Sequence, residues 1–185
     1  MIIQYTTAQH EADLQGILDL QQLNLAKNVS AQVALEQGFL TVEHNLELLN
    51  SMNVPYPHVI AKVGEEVIGY TLVMLKELKY DIPILYPMFE QIEQINYQNK
   101  LVSAHDYFVM GQVCVASAYR SQGVFANLYQ TLKTKMSPYY SLVVTEVAFR
   151  NTRSMRAHEK VGFKVIKDYH SEEGEYWAIV AWDLR

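Results

Sequence analysis

Apolar residues recur along the chain in two periods, and each change of period marks an element. Ile2 to Thr6 is a short β-branched and aromatic run, read as a first strand. From about Gln9 to Ala26, Leu14, Ile17, Leu18 and Leu25 share a helical stripe, widened by Leu20 and Leu23, until Asn28-Val29-Ser30 breaks it. The segment up to Leu40 fits neither period. Gly38-Phe39 suggests a turn before a second helix capped by Thr41, with Val42, Leu46 and Leu49 on one face and an end near Asn53. Pro55 and Pro57 precede the strand-like run His58 to Val63. Gly64-Glu65-Glu66 then turns the chain into a second run, Val67 to Leu75, and the two read as a hairpin.

Residues 77 to 106 carry the weakest pattern. Tyr80-Asp81-Ile82-Pro83 and Tyr86-Pro87 are turn-forming or extended, and Met88 to Asn96, with Phe89, Ile92 and Ile95, predicts a short amphipathic helix. The segment exceeds an ordinary connection between strands, which makes it a candidate wall of a substrate pocket. The alternatives are a packed surface excursion or the contact face of a homodimer.

Periodicity sharpens again after that. Val109 to Val115 is mostly apolar and β-branched and predicts a strand, which breaks at Ala116-Ser117-Ala118. After Gly123 the period becomes helical: Val124, Leu128, Leu132 and Met136 recur at i, i+4, with Phe125 and Tyr129 beside them, until Ser137-Pro138. Leu142 to Phe149 is a buried-type strand, Asn151 to Val161 a helix closed by Gly162, and Phe163 to Tyr169 pairs with Glu175 to Trp182 around Ser171 to Gly174. The order β-α-α-β-β-insert-β-α-β-α-β-β predicts an α/β fold with a mixed sheet, as one domain over residues 1 to 185.

Composition narrows the function classes. Half the residues are hydrophobic and 19% are charged, which excludes a disordered or fibrous chain. A net charge of -5 without any Lys/Arg run argues against nucleic acid as partner, since neutralising phosphates needs clustered basic residues. The one cysteine, Cys114, excludes an internal disulfide and a multi-cysteine zinc site, and no metal is expected. The N-terminus lacks the basic and apolar regions of a signal peptide, and no apolar stretch approaches a membrane span. The expectation is a cytoplasmic protein with no membrane partner.

The chemistry gathers where strand turns into helix. Arg120-Ser121-Gln122-Gly123 precedes the helix that begins at Val124, so backbone N–H groups and the positive end of the helix dipole converge on an anion site. Gly123 can take φ > 0 and admit a phosphate closely, and Arg120 adds positive charge. The segment Val113-x-Val115-x-x-x-Tyr119-Arg120-x-x-Gly123 resembles the pyrophosphate-binding motif of the GNAT acetyltransferase superfamily. A second segment, Asn151-x-x-Ser154-x-x-x-His158-Glu159-Lys160-x-Gly162-Phe163, resembles the next helix of that family at the expected distance. With their strands, the two matches cover roughly Asp106 to the C-terminus.

The resemblance implies a mixed, mostly antiparallel central sheet flanked by helices. It implies acyl transfer from acetyl-CoA to an amine, carried by a small molecule or a peptide. In that reading the peptide groups of Val113, Cys114 and Val115 pair with the pantetheine arm, and the N–H groups of Gln122, Gly123, Val124, Phe125 and Ala126 hold the pyrophosphate, beside Arg120 and Ser121. Phe125 departs from the family pattern, which has a small residue there. A non-catalytic acyl-CoA-binding module of the same fold is the alternative function. A third class, binding of another phosphate such as a nucleotide at the same turn, lacks the Lys-Ser/Thr of a P-loop.

The proton transfers differ in size. An amine of pKa about 10.4 is neutral in only about one molecule in 2,500 at pH 7, a deficit on the order of 4–5 kcal/mol. Protonating a leaving thiolate of pKa about 8.5 gains only ~2 kcal/mol. Three residues are candidates for catalysis. His158 occupies the place where many family members carry a tyrosine acid, and the competing role is packing or capping within its helix. Glu146 interrupts an apolar strand and is either a general base or the partner of an arginine such as Arg150 or Arg156. Gln112 shares a strand face with Cys114 and either orients substrate or water or sits at a solvated edge. Cys114 reads better as a small buried hydrophobe than as an acylated nucleophile. Asn151 is a candidate cofactor-binding residue, and its competing role is the cap of its helix.

Overall fold

The computed structural model describes residues 2–30, 32–34, 38–80, 86–172 and 174–185. In chain order these form β1 (Gln4–Thr7), α1 (Glu11–Gln22), α2 (Leu46–Met52), β2 (Val59–Val63), β3 (Glu66–Met74), α3 (Tyr86–Glu93), β4 (Asn96–Tyr97), β5 (Lys100–Leu101), β6 (Tyr107–Val115), α4 (Val124–Met136), β7 (Leu142–Ala148), α5 (Thr152–Val161), β8 (Lys164–His170) and β9 (Tyr176–Asp183). Seven strands make a mixed sheet in the order β1-β2-β3-β6-β7-β9-β8, and β4 pairs with β5 in a separate ribbon. The pairings β1/β2, β2/β3, β7/β9 and β8/β9 are antiparallel. β6 and β7 run parallel, with Tyr107 to Val109 opposite Leu142 to Val144. A parallel pair needs a crossover rather than a hairpin, and α4 supplies it. The expected α/β class and mixed, mostly antiparallel sheet are therefore observed. Among the described residues no helix is long and apolar enough to cross a membrane.

Two compact units share these elements, one of Met1–Val73 with Gly111–Lys135, the other of Met74–Met110 with Met136–Arg185. In the first, α1 begins where Asp13 accepts hydrogen bonds from the N–H groups of Gln9 (2.9 Å) and His10 (3.1 Å). Burial opposes the charge of Asp13, but these bonds and Lys62 of β2, at 2.9 Å, outweigh it and hold its carboxyl below the usual value. The predicted run to Ala26 stops at Gln22. Beyond it Asn24 and Ala26 exchange backbone bonds with Leu40, and Leu23, expected on the apolar stripe, is 73% exposed. The second helix also starts later than expected: Asn45, not Thr41, caps α2 by accepting from the N–H of Leu48 at 2.8 Å. Parts of the Val29 to Leu40 segment lie outside the described residues.

The apolar stripe of α4 is as predicted, with Val124, Leu128 and Leu132 at most 1% exposed. Burying each contributes about 1.5–3 kcal/mol, so packing rather than intrinsic propensity holds the helix in place. Gly69 of β3 permits the close fit. A Cβ there would lie 3.2 Å from the Cys114 carbonyl oxygen, 3.2 Å from Leu128 and 3.4 Å from Val124. Larger side chains at 69 would push the first turn of α4 away from the strands beneath it.

In the second unit, α5 is bounded as its sequence indicates. Asn151 Oδ1 accepts from the N–H of Ser154 at 3.2 Å, and Gly162 adopts φ +119° while its N–H and that of Phe163 close on the carbonyl of His158. The 77 to 106 segment holds a 3-10 turn at Lys76–Tyr80, α3 and the β4–β5 ribbon, with α3 starting and ending earlier than predicted. Residues 81 to 85, including the expected Asp81-Ile82-Pro83 turn, lie outside the described residues.

Candidate functional site

The first unit carries the turn expected to bind an anion. β6 continues to Val115, beyond the residues in register with β7, and a 3-10 turn at Ser117–Tyr119 leads to the start of α4. Ser121 and Gly123 both adopt positive φ, +62° and +81°, which folds the backbone into a tight hollow ahead of the helix. A Cβ built on Gly123 would find only Asn127 Nδ2, at 3.7 Å, so the glycine is required by its dihedral angle and the space above it is open. The N–H of Asn127 donates to the Gly123 carbonyl at 3.1 Å. The N–H groups of Val124, Phe125 and Ala126 precede that bond, the positions from which a helix serves an outside anion. Ser121, Gln122, Gly123 and Ala126 are exposed. The residues present therefore fit a pyrophosphate.

Two side chains there act differently from expectation. Arg120 is turned back onto its own strand: Nε donates to the Val115 carbonyl at 2.9 Å and a terminal nitrogen to Asn24 Oδ1 at 2.6 Å. Its guanidinium braces the turn against the chain after α1. Phe125, the departure from the family pattern, packs its ring on Tyr129 one turn along the helix, with centroids 5.0 Å apart. Gln122 donates to the carbonyl of Ala118 at 2.8 Å, which tightens the turn further.

Gln112, in β6 just before Val113, is not at a solvated edge. It is 7% exposed, its Nε2 donates to the Val42 carbonyl at 2.8 Å, and its Oε1 accepts from Tyr70 at 2.6 Å and from Gln21 at 3.2 Å. Burial raises Tyr70 well above its ordinary value, which keeps the hydroxyl a donor. Gln21 was hidden on an apolar stripe, seven residues after Leu14 and four after Ile17, and that misplaced amide was the signal available. Cys114 is 6% exposed and burial pushes its thiol up to about 12, as the small-hydrophobe reading requires.

Glu146 and His158 lie in the second unit. Glu146 sits on β7 opposite Ile179 of β9, and the hydroxyl of Tyr169 on β8 donates to its Oε1. Burial raises the carboxyl to about 7, against the opposing effect of that bond. The alternative pairing with an arginine is overturned, since the partner of Glu146 is Tyr169 and Arg150 binds Glu175 at 2.7 Å. Tyr169 was not singled out among thirteen tyrosines, and only strand pairing reveals it. His158 is 2% exposed, with Nδ1 2.8 Å from the Ser154 carbonyl and its ring edge-on to Phe163. Burial lowers it to about 4, so it is neutral at pH 7 and the geometry favours its packing role over the acid role. Asn151 uses its Oδ1 as the cap of α5 rather than toward a cofactor. In the same unit, a cavity of about 280 Å³ lies among Lys76, Lys79, Glu93 and Tyr107. Glu77, Lys79, Tyr80, Glu93 and Ser103 of its lining come from the 77 to 106 segment, and Lys76 and Tyr107 flank it. Among the described residues no group of three metal-ligating side chains forms.

The model of the acetyltransferase (GNAT) family matches residues 34–163. No curated protein matches the sequence. Solved structures with the same fold include the NatC complex bound to Gag peptide and CoA (16% identity, TM-score 0.69, covering 100% of both chains). Another is the ribosomal-protein-S18-alanine N-acetyltransferase of Escherichia coli (13%, TM-score 0.64, covering 99% of this chain and 94% of that one). A third is yncA of Salmonella typhimurium with its cofactor acetyl-CoA (13%, TM-score 0.66, covering 100% and 95%).

Proposed function

Because the chain belongs to the GNAT acetyltransferase family, we propose that it transfers an acetyl group from acetyl-CoA directly to an amine of a small molecule or a peptide. The observation that carries the reading is the hollow at Ser121 to Gly123, whose positive φ angles and open space fit a pyrophosphate at the start of α4. The N–H groups of Gln122 to Ala126 would hold the phosphates, and the backbone of Val113 to Val115 would pair with the pantetheine arm. One neighbour in fold is a ribosomal-protein-S18-alanine N-acetyltransferase and another, the NatC complex, is bound to a peptide and CoA, which supports a protein or peptide amine beside the small-molecule class.

Glu146 is the proposed proton acceptor. A base poised at about 7 is better matched to an ammonium group than an ordinary carboxylate, and the Tyr169 hydroxyl holds it in one orientation. Glu146 takes the ammonium proton, directly or through water. The nitrogen lone pair forms the C–N bond to the acetyl carbon, and the C–S bond breaks with its electron pair on sulfur. The thiolate takes up the proton that Glu146 holds, and the second nitrogen proton, released once the C–N bond has formed, goes to water. Gln112 and His158 serve the frame rather than the reaction in this scheme.

Thermal unfolding tests the cofactor: coenzyme A should raise the melting temperature while ATP and NAD do not. Equal effects from all three, or none, would sink the assignment. Release of free thiol from acetyl-CoA with a panel of amines then separates an enzyme from an acyl-CoA-binding module.

A further inference from the structure

The buried polar cluster around Gln21 fixes the proton on a buried histidine, His44. His44 lies in the irregular stretch between Leu40 and α2 and is 4% exposed. Its backbone N–H donates to Gln21 Oε1 at 2.7 Å, so the oxygen of that amide is identified and Gln21 Nε2 is a donor. One Nε2 hydrogen goes to Gln112 Oε1 and the other to His44 Nδ1, both at 3.2 Å. Gln112 cannot reverse this, because its own Nε2 donates to the Val42 carbonyl and its Oε1 also receives the Tyr70 hydroxyl. His44 Nδ1 is therefore an acceptor. Burial lowers the imidazole to about 4, so the ring is neutral and its single proton is on Nε2.

That Nε2–H is buried and has no hydrogen-bond partner among the described residues. A buried donor left unsatisfied is costly, so the group calls for an acceptor oxygen from outside the fold. The other three members of the cluster are satisfied, and the cluster rests on Gln112, the residue that precedes Val113 to Val115. We propose that His44 Nε2–H is a specificity-determining donor for the acyl acceptor, recognising a carbonyl oxygen next to the amine, as in an α-amino amide or a peptide N-terminus. The inference deepens the acyltransfer reading and rests on it for the identity of the ligand as an acceptor.

Two probes test it, alaninamide and isopropylamine, which differ in a carboxamide against a methyl. The ratio of their kcat/KM values with acetyl-CoA is measured for the wild type and for His44→Phe. Their difference in basicity is the same for both proteins and cancels. The expected result is a ratio about tenfold lower in the variant, the loss of one hydrogen bond. His44→Gln, which can both accept from Gln21 and donate, should restore part of it. An unchanged ratio overturns the proposal. A second measurement needs neither turnover nor a variant: two-bond proton–nitrogen spectra of protein labelled at histidine. The free protein should show the Nε2–H form of His44, and alaninamide with coenzyme A should move that signal while isopropylamine does not. The Nδ1–H form, or a signal that neither probe moves, overturns the proposal. If coenzyme A fails to stabilise the protein, the acyltransfer reading falls, and alaninamide alone then decides whether the donor site exists.

Discussion

The hydroxyl of Tyr169 on β8 donates to the carboxylate of Glu146 on β7, across the intervening strand β9. Register explains the meeting: Glu146 lies opposite Ile179 and Tyr169 opposite Trp177, two positions along β9 and so on the same face. The result is one half-buried carboxyl with a single neutral donor, raised by burial to about 7.

Stability should record that raised value. Between the ordinary carboxyl value of 4.5 and about 7 the folded protein holds a proton that the unfolded chain has released. The contribution of Glu146 is therefore fully present below 4.5 and is lost as pH rises through about 7. Glu146→Gln removes that loss. The melting temperature of the variant, measured against wild type at pH 5 and pH 8, should gain roughly 3–8 °C on wild type over that interval, as a change of ~1–2 kcal/mol does in a chain of this size. Parallel curves for the two proteins would show that the carboxyl is not buried as described.

Activity should follow the same group in the other sense. If Glu146 accepts the proton, kcat/KM falls on the acidic side of about pH 7, and Glu146→Gln loses most turnover while folding well. The Tyr169 bond lowers the carboxyl, so Tyr169→Phe should move the acidic limb to higher pH rather than abolish activity. A pH profile of kcat/KM for the two variants checks this. An acidic limb that stays in place in Tyr169→Phe would remove Glu146 from the role.

At the anion turn, the defect of Gly123→Ala should be conformational. Its Cβ has room, with Asn127 Nδ2 at 3.7 Å, but φ +81° is unfavourable for any side chain by ~1–2 kcal/mol. The variant should fold, and the rise in melting temperature with coenzyme A should shrink. Arg120→Lys should do the same for a different reason, since an ammonium cannot reach both the Val115 carbonyl and Asn24 in the way a planar guanidinium does. Titration of each variant with coenzyme A, followed by thermal unfolding, measures both effects. A full response in Gly123→Ala would mean that the hollow does not hold the phosphates.

Periodicity made most of this fold legible, because α4 buries one continuous apolar face and β7 is an apolar run that the sequence spells out in order, while α5, whose one buried residue is His158, is marked by Asn151 and Gly162 at its ends. It failed where a polar contact overrides the pattern. Thr41 lost the cap of α2 to Asn45, and Leu23 left the stripe of α1, because the chain there is set by backbone bonds to Leu40. The anion turn was visible because it depends on glycine and backbone geometry within five residues. The Gln21–Gln112–Tyr70–His44 cluster was not, since its members are far apart in sequence and only the folded strands and helices bring them within 3.2 Å of one another. Glu146 was visible as an odd residue in an apolar strand, whereas its partner Tyr169 was one tyrosine among many.

Cys114 offers a clean decision between direct transfer and an acylated enzyme. Its place in the motif strand puts a thiol beside the proposed pantetheine site, which invites the nucleophile role. Two facts oppose it: the side chain is 6% exposed, and burial lifts the thiol to about 12 although the charge of Arg120 pulls the other way. At pH 7 the thiolate is then about one part in 10⁵, and the thiolate is the nucleophile. Cys114→Ala should therefore keep at least roughly half of wild-type kcat, with a loss of stability on the order of 1 kcal/mol for the small void. Intact mass of the wild type mixed with acetyl-CoA should show no added acetyl group in the first turnovers. A burst of one acetyl per protein that vanishes in Cys114→Ala would establish the two-step route instead.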